Sequence, residues 1–312
     1  MKKIVITLLS MLLSTTASAD EALDNALRRA AANGDFEATQ QLIDRGANVN
    51  SRGELGHTPL IYAAEDGQIS IAKLLIDSGA RINDQTKGGY TAISAAADEG
   101  SITLVALLLR SGADPHIKTS NGMDALMVAI RSGDADVISM LMAYNSNINT
   151  ADRHGRTALM IATKQGHINT VHMLLLASAG MDIRDKNGKT ALMMAAESGN
   201  MDIINALLNR GASTSVTNDH GASALHYAVS KRGVDSALTI LNHGADINVT
   251  DQDGWTPLME AVGSGNMELA KLMIQRGAKT DVRDHEGLDL LLISKMNRHH
   301  QLTEYLRTII KK

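Results

Sequence analysis

The chain has 312 residues, a formal net charge of −4 and no cysteine. The absence of cysteine excludes disulfides, thiol nucleophiles and thiolate metal sites. An acidic chain without a basic tract argues against nucleic-acid binding, for which a basic face is the expected footprint. Aromatic residues make up only 2% of the sequence, so a core would consist of aliphatic residues, alanine and methionines, which fill irregular gaps.

Residues 1–19 are predicted to be a cleaved export signal. Two lysines at positions 2 and 3 precede an apolar stretch over residues 4–13, which is too short to span a bilayer as a permanent helix. A small-residue cleavage site follows, formed by Ala17, Ser18 and Ala19. Such a short signal is typical of bacteria, so we predict a mature chain that is periplasmic or secreted. Removal of the two lysines takes the formal charge from −4 to −6.

From residue 20 onward the sequence repeats every 33 residues. A glycine recurs at this spacing at Gly56, Gly89, Gly122, Gly155, Gly188, Gly221, Gly254 and Gly287. Two residues after each glycine stands a side chain that can cap the start of a helix: Thr58, Thr91, Asp124, Thr157, Thr190, Ser223, Thr256 and Asp289. A fixed period of this length indicates a stacked-repeat protein.

Each repeat is predicted to hold two helices. In residues 156–188 the first helix starts at Thr157, Gly166 allows a sharp turn, and the apolar stripe of the second helix follows. A glycine ends the second helix in most repeats. Asn145 replaces it in the fourth repeat and Ser178 in the fifth, where Gly180 is expected to take over two residues later.

The Thr-Pro-Leu motifs at 58–60 and 256–258 and the Ser-Ala-Leu-His motif at 223–226, together with the 33-residue period, resemble the ankyrin repeat. The resemblance covers everything after residue 20. It implies an all-α ankyrin solenoid of helix-turn-helix units with short β-hairpin fingers, about nine repeats including caps. The predicted repeats of this single domain (20–312) are 20–56, 57–89, 90–122, 123–155, 156–188, 189–221, 222–254, 255–287 and 288–312.

Polar residues are expected to cover both ends of the stack, because a terminal repeat needs a polar outer face. These residues are Arg28, Arg29, Gln40, Gln41, Glu304 and Arg307. In the family's Thr-Pro-Leu-His slot, the resemblance implies that His226 hydrogen-bonds the finger backbone.

The sequence holds no pattern that predicts a catalytic, metal or cofactor site. Zinc needs three or four converging ligands, whereas the histidines lie on separate fingers that diverge. Two acidic pairs are expected to be exposed and to have no pKa raised into a catalytic range: Glu65-Asp66 and Asp98-Glu99. We therefore predict no catalytic residues, no metal and no cofactor.

The ankyrin resemblance implies that partners bind a concave face built from fingertips and first helices. Mapped onto this sequence, that face is acidic in the first repeats and basic in the centre, with large side chains after several finger glycines. Binding hot spots are enriched in Trp, Tyr and Arg. The candidate partner-binding residues are Tyr90, Met123, Arg131, Arg153, His154, Arg156, Lys164, Lys186, Lys189 and Trp255.

The function expected from the sequence is that of a non-enzymatic, monomeric module of the exported bacterial ankyrin type, which binds another protein in the cell envelope. It would bind neither nucleic acid nor, after signal cleavage, membrane. The sequence does not decide whether it acts as an inhibitor or immunity factor or as an accessory to an envelope enzyme. The alternatives are a structural or assembly scaffold, in which solenoids stack end to end, and a secreted effector that acts on host proteins.

Overall fold

The computed structural model describes residues 20–144, 147–231 and 233–310. The predicted export signal and Asn145 lie outside the described residues. The described residues form eighteen helices and no strand. Within them, none of the helices combines the length and the apolar character that crossing a membrane requires.

The chain divides into two compact units, Met1–Asn147 and Ile148–Lys312. The helices of the N-terminal unit are α1 (20–32), α2 (Phe36–Asp44), α3 (Pro59–Glu65), α4 (Ile69–Asp77), α5 (Ala92–Glu99), α6 (Ile102–Arg110), α7 (Ala125–Ser132) and α8 (Ala135–Tyr144). Those of the C-terminal unit are α9 (Ala158–Gln165), α10 (Ile168–Leu176), α11 (Ala191–Ser198), α12 (Met201–Asn209), α13 (Ala224–Ser230), α14 (Val234–Asn242), α15 (Pro257–Gly263), α16 (Met267–Gln275), α17 (Leu290–Met296) and α18 (His300–Ile310). The odd-numbered helices are the first helices of the repeats and the even-numbered ones the second.

The predicted capping residues start the first helices. Seven of the eight side chains accept a hydrogen bond from the backbone N–H three residues on, which satisfies one of the orphan donors at a helix start. At the eighth position, the Ser223 hydroxyl lies 3.1 Å from Nδ1 of His226 instead. The sequence prediction of these helix starts is confirmed.

Successive first helices pack against one another within each unit, α3–α5–α7 in the N-terminal unit and α9–α11–α13–α15–α17 in the C-terminal unit. Each of these contacts buries the apolar face of the first helix, and the second helix covers it from the other side. Leu159 of α9 and Val171 and Leu174 of α10 are at most 1% exposed. Burial of such side chains stabilises the unit by about 1.5–3 kcal/mol each.

The fingers, which join the second helix of one repeat to the first helix of the next, are simpler than predicted. Among the described residues they contain single antiparallel bridges and no longer strand pairing. The turn of each finger lies at its repeating glycine, and all eight glycines have φ between 76° and 83°. Adjacent fingers are joined by backbone hydrogen bonds, such as Lys186 N–H to His154 O (2.9 Å) and Asp219 N–H to Asn187 O (3.2 Å).

The expectation that Gly180 takes over from the missing helix-ending glycine after α10 is wrong. Ser178 itself takes the left-handed conformation with φ of 61°, and Gly180 is not among the residues with positive φ. Five of the six polar residues predicted at the ends of the stack are exposed or partly exposed, and Arg28 is the exception. Arg28 is only 9% exposed, and the apolar residues Leu292 and Met296 of α17 are 41% and 67% exposed.

Candidate functional site

A groove of 490 Å³ opens in the C-terminal unit where the repeats 156–188 and 189–221 meet. Four of the predicted binding residues line it: His154, Arg156, Lys164 and Lys189. His154, Arg156 and Lys189 belong to fingers and Lys164 to α9, so two adjacent fingers and the first helices that follow them build the groove. Met194 and Glu197 of α11 complete its wall.

Arg156 is held by its own finger. Its Nε and Nη2 donate to Oδ2 of Asp152 at 2.8 and 2.6 Å, and the Asp152 side chain is 0% exposed. Burial raises the pKa of Asp152, but hydrogen bonds from the Arg156 side chain and from the backbone of Arg156 and His154 outweigh it, so the pKa lies below its usual value. Arg156 therefore stabilises the finger as well as lining the groove.

Lys189 is held in a similar way by the following helix. Its Nζ donates to Oε2 of Glu197 at 2.8 Å and lies 4.5 Å from the centre of the Tyr227 ring. The Tyr227 hydroxyl accepts a hydrogen bond from Asn218 at 2.9 Å, which fixes the ring. Burial lowers the pKa of Lys189, but the bond to Glu197 outweighs it and raises the pKa. Lys189 thus remains charged and positioned.

Three cations around the groove have no such partner. Arg153, Lys164 and Lys186 are exposed, and none of them forms an ion pair with another described residue. His154 is also exposed, at the fingertip beside Arg153. Because Arg156 and Lys189 are neutralised by Asp152 and Glu197, the positive charge of this surface comes from these three unpaired side chains.

Trp255 lies outside the groove and has a structural role. Its Nε1 donates to Oδ2 of Asp284 in the next finger at 3.1 Å, and its carbonyl oxygen accepts from Nε2 of His226 at 3.2 Å. Because Nδ1 of His226 accepts the backbone N–H of Ser223 at 3.1 Å, the ring is neutral with its proton on Nε2. The implied bond between His226 and the finger backbone is thus present, and burial lowers the pKa of His226.

The remaining predicted residues belong to the N-terminal unit. Arg131 donates from Nη2 to the Tyr90 hydroxyl at 3.1 Å and to Oδ1 of Asp98 at 2.9 Å. Burial lowers the pKa of Arg131, but the hydrogen bond to Asp98 outweighs this effect, so the pKa is raised. The expectation that Met123 is exposed is wrong, because this side chain is packed into the unit and only 5% exposed.

Sequence reasoning also missed two features. Glu65 was expected to be exposed, but it is half-buried, and burial raises its pKa; the opposing bond from Nε2 of His57 (3.0 Å) does not cancel the effect. Burial also raises the pKa of Glu260, and Asp251 adds to it. The eight-residue spacing shared by His57–Glu65 and Lys189–Glu197 is the signal that could have revealed these pairs. Among the described residues, no cluster of acidic or histidine side chains could hold a metal ion.

The stacked helix pairs with a charged groove at their surface define a helical-repeat scaffold. The family model of ankyrin repeats in three copies matches the chain over residues 6–86, 27–119, 93–186, 171–251 and 232–311. The chain belongs to the ankyrin-repeat family, and its fold is an all-α ankyrin solenoid. Such repeats are protein–protein interaction modules.

A solved structure supports the same conclusion. The crystal structure of the human ASB11 ankyrin repeat domain is similar to this chain with a TM-score of 0.63 and 29% sequence identity. The similarity covers 70% of this chain and 98% of that domain. Comparison with curated proteins found no match.

Proposed function

We propose that this chain is a non-enzymatic, exported module that binds one folded partner protein through the groove of its C-terminal unit. The observation that carries the proposal is the set of three exposed cations without ion-pair partners, Arg153, Lys164 and Lys186, around a groove built from fingertips and first helices. Charges arranged in this way complement an acidic patch, speed association and fix the orientation of the partner.

The groove favours a protein over a nucleic acid as the partner. Asp185 and Glu197 also line it, so a continuous chain of phosphates would meet carboxylates as well as cations. The whole chain is acidic, with a formal charge of −4, whereas nucleic-acid binding relies on an extended basic surface. Met194 adds an apolar contact of the kind that protein interfaces bury.

An affinity capture experiment tests the proposal. The mature chain serves as bait in an envelope extract, in parallel with Arg153→Ala/Lys164→Ala. The matched control is Arg210→Ala/Lys279→Ala, which removes the same charges from exposed residues of the same unit that have no ion-pair partner and do not line the groove. A protein captured by the parent and the control but lost from the groove variant supports the proposal. A protein captured equally by all three contradicts it.

Export is part of the proposal and has its own test. If residues 1–19 are a signal, N-terminal sequencing finds Asp20 as the first residue of the mature protein, and a bulky residue in place of Ala19 blocks processing. Retention of Met1 in the envelope fraction would contradict export. Recovery from the medium and not from the periplasm would favour the secreted-effector alternative. Identification of the captured protein then distinguishes an inhibitor from an accessory factor.

The scaffold alternative gains one observation from the structure. Leu292, Met296 and Ile310 form exposed apolar surface on the last repeat, at 41%, 67% and 38% exposure. Stacking of chains through this end would bury them. Sedimentation of the mature chain over a range of concentrations decides between the two. We expect a monomer throughout, and concentration-dependent growth that Met296→Lys abolishes would favour the scaffold.

A further inference from the structure

The repeats differ in how they neutralise the residue that follows the finger glycine. In repeat 57–89, Nε2 of His57 lies 3.0 Å from Oε1 of Glu65, eight residues further on. In repeat 189–221, Nζ of Lys189 lies 2.8 Å from Oε2 of Glu197 at the same spacing. Two repeats therefore place a carboxylate on the first helix opposite a cationic or titratable residue of the finger.

Repeat 156–188, which contributes Arg156 and Lys164 to the groove, differs from these two repeats. The residues at the same two positions of repeat 156–188 are Arg156 and Lys164, so the carboxylate is replaced by a second cation. Arg156 turns to Asp152 and uses Nε and Nη2, which leaves Nη1 without a hydrogen bond to any described residue. Lys164 has no ion-pair partner among the described residues. Both side chains line the 490 Å³ groove.

We propose that one carboxylate side chain of the partner protein enters this groove and takes, between Arg156 and Lys164, the place that Glu65 and Glu197 occupy in the other two repeats. This inference rests on the proposed function and names the chemistry that the groove recognises. The carboxylate accepts hydrogen bonds from the Arg156 Nη1 and the Lys164 Nζ. Charge-assisted bonds of this kind are stronger than neutral ones.

The surroundings of the site define the kind of segment that fits. Glu197 and Asp185 also line the groove, and Glu197 is already bound to Lys189. A second acidic residue of the ligand beside the first would meet these carboxylates and be repelled. Met194 also lines the groove and offers an apolar contact. The segment therefore carries one isolated Asp or Glu next to an apolar residue, and it is not a run of acidic residues.

Lys164→Glu tests this idea sharply, because it installs in repeat 156–188 the carboxylate that repeat 189–221 already has. The new side chain would occupy the site from within and exclude the ligand. Lys164 is exposed, so the fold is expected to be retained, which thermal unfolding checks. The matched control is Lys279→Glu, which makes the same charge change at an exposed residue outside the groove.

The experiment selects random short peptides, displayed on phage, for binding to the mature chain and to both variants. We expect peptides enriched on the parent to share one Asp or Glu beside an apolar residue, to lose binding to Lys164→Glu and to keep it on Lys279→Glu. Replacement of that acid by its amide in a synthetic peptide is expected to weaken binding at least ~10-fold.

Peptides without an acidic residue, peptides with acidic runs, equal binding to Lys164→Glu, or no enriched peptide at all would overturn the inference. These failures are distinct from failure of the proposed function. If capture of a partner requires Arg153 and Lys164 while the selected peptides show no acid requirement, the proposed binding surface is supported and the carboxylate site is contradicted. If no partner requires those residues for capture, the proposed function is contradicted.

Discussion

The finger turn at Gly188 offers a quantitative test of how the repeats are held together. Gly188 has φ of +76°, and a Cβ atom there would lie 2.5 Å from the backbone nitrogen of Asp219 in the next finger. That nitrogen cannot rotate away, and it donates to Asn187 O at 3.2 Å. Gly188→Ala therefore introduces left-handed strain of about 1–2 kcal/mol and, in addition, displaces a hydrogen bond between fingers that contributes about 1 kcal/mol.

Gly199→Ala is the matched control. Gly199 has φ of +69°, and a Cβ atom there would have nothing within 4 Å. Both substitutions have the same effect on the unfolded chain, so the difference between them isolates the clash. Urea unfolding is expected to show Gly188→Ala less stable than Gly199→Ala by about 1 kcal/mol or more.

Hydrogen exchange locates the effect of Gly188→Ala. Because each repeat contacts only its neighbours, protection is expected to fall in the two repeats that flank Gly188 and not in distant ones. Equal destabilisation by Gly188→Ala and Gly199→Ala would refute the role assigned to the finger contact. Uniform loss of protection over the whole mature chain would refute nearest-neighbour stability.

Two further predictions concern charged side chains. Arg156→Ala removes both hydrogen bonds to the buried Asp152 side chain and is expected to lower the free energy of unfolding by about 1.5–3 kcal/mol. The pKa of Asp152 is depressed in the fold. Urea unfolding should therefore show the full difference in unfolding free energy between the parent and Arg156→Ala above pH 3.8. The difference should be lost as the pH falls through the depressed pKa. Glu260 has a raised pKa, so its ionised form is disfavoured in the fold at neutral pH. Glu260→Gln is expected to raise the melting temperature at neutral pH and to have less effect below pH 4.5, and a pH-independent effect would contradict this reasoning.

The sequence predicts the fold well because the information is local and repeated. The cap at Thr157 and the turn at Gly166 depend on residues a few positions away, and a 33-residue period places them in every repeat. Ser178 shows the limit of this reasoning. Whether a serine adopts φ of 61° or leaves the turn to Gly180 depends on the strain that the rest of the repeat imposes.

The candidate site is predicted less completely, because its chemistry depends on which side chains meet. The sequence identifies Arg156 and Lys189 as groove residues but does not show that Asp152 and Glu197 neutralise them. Nor does it show that Met123 is packed into its unit while other residues after finger glycines remain partly exposed. Rotamers and neighbouring repeats decide these outcomes, and a single repeat does not encode them.

The most direct test of the proposed binding surface is the affinity of a captured partner for the groove variant and its control. Arg153→Ala/Lys164→Ala removes two unpaired cations without touching a buried ion pair, so its stability is expected to match that of the parent. We expect it to bind the partner at least ~30-fold more weakly than Arg210→Ala/Lys279→Ala, a difference of about 2 kcal/mol. Its association rate should also depend less on salt. Equal affinities of the two double variants would contradict the assignment of the groove as the binding surface.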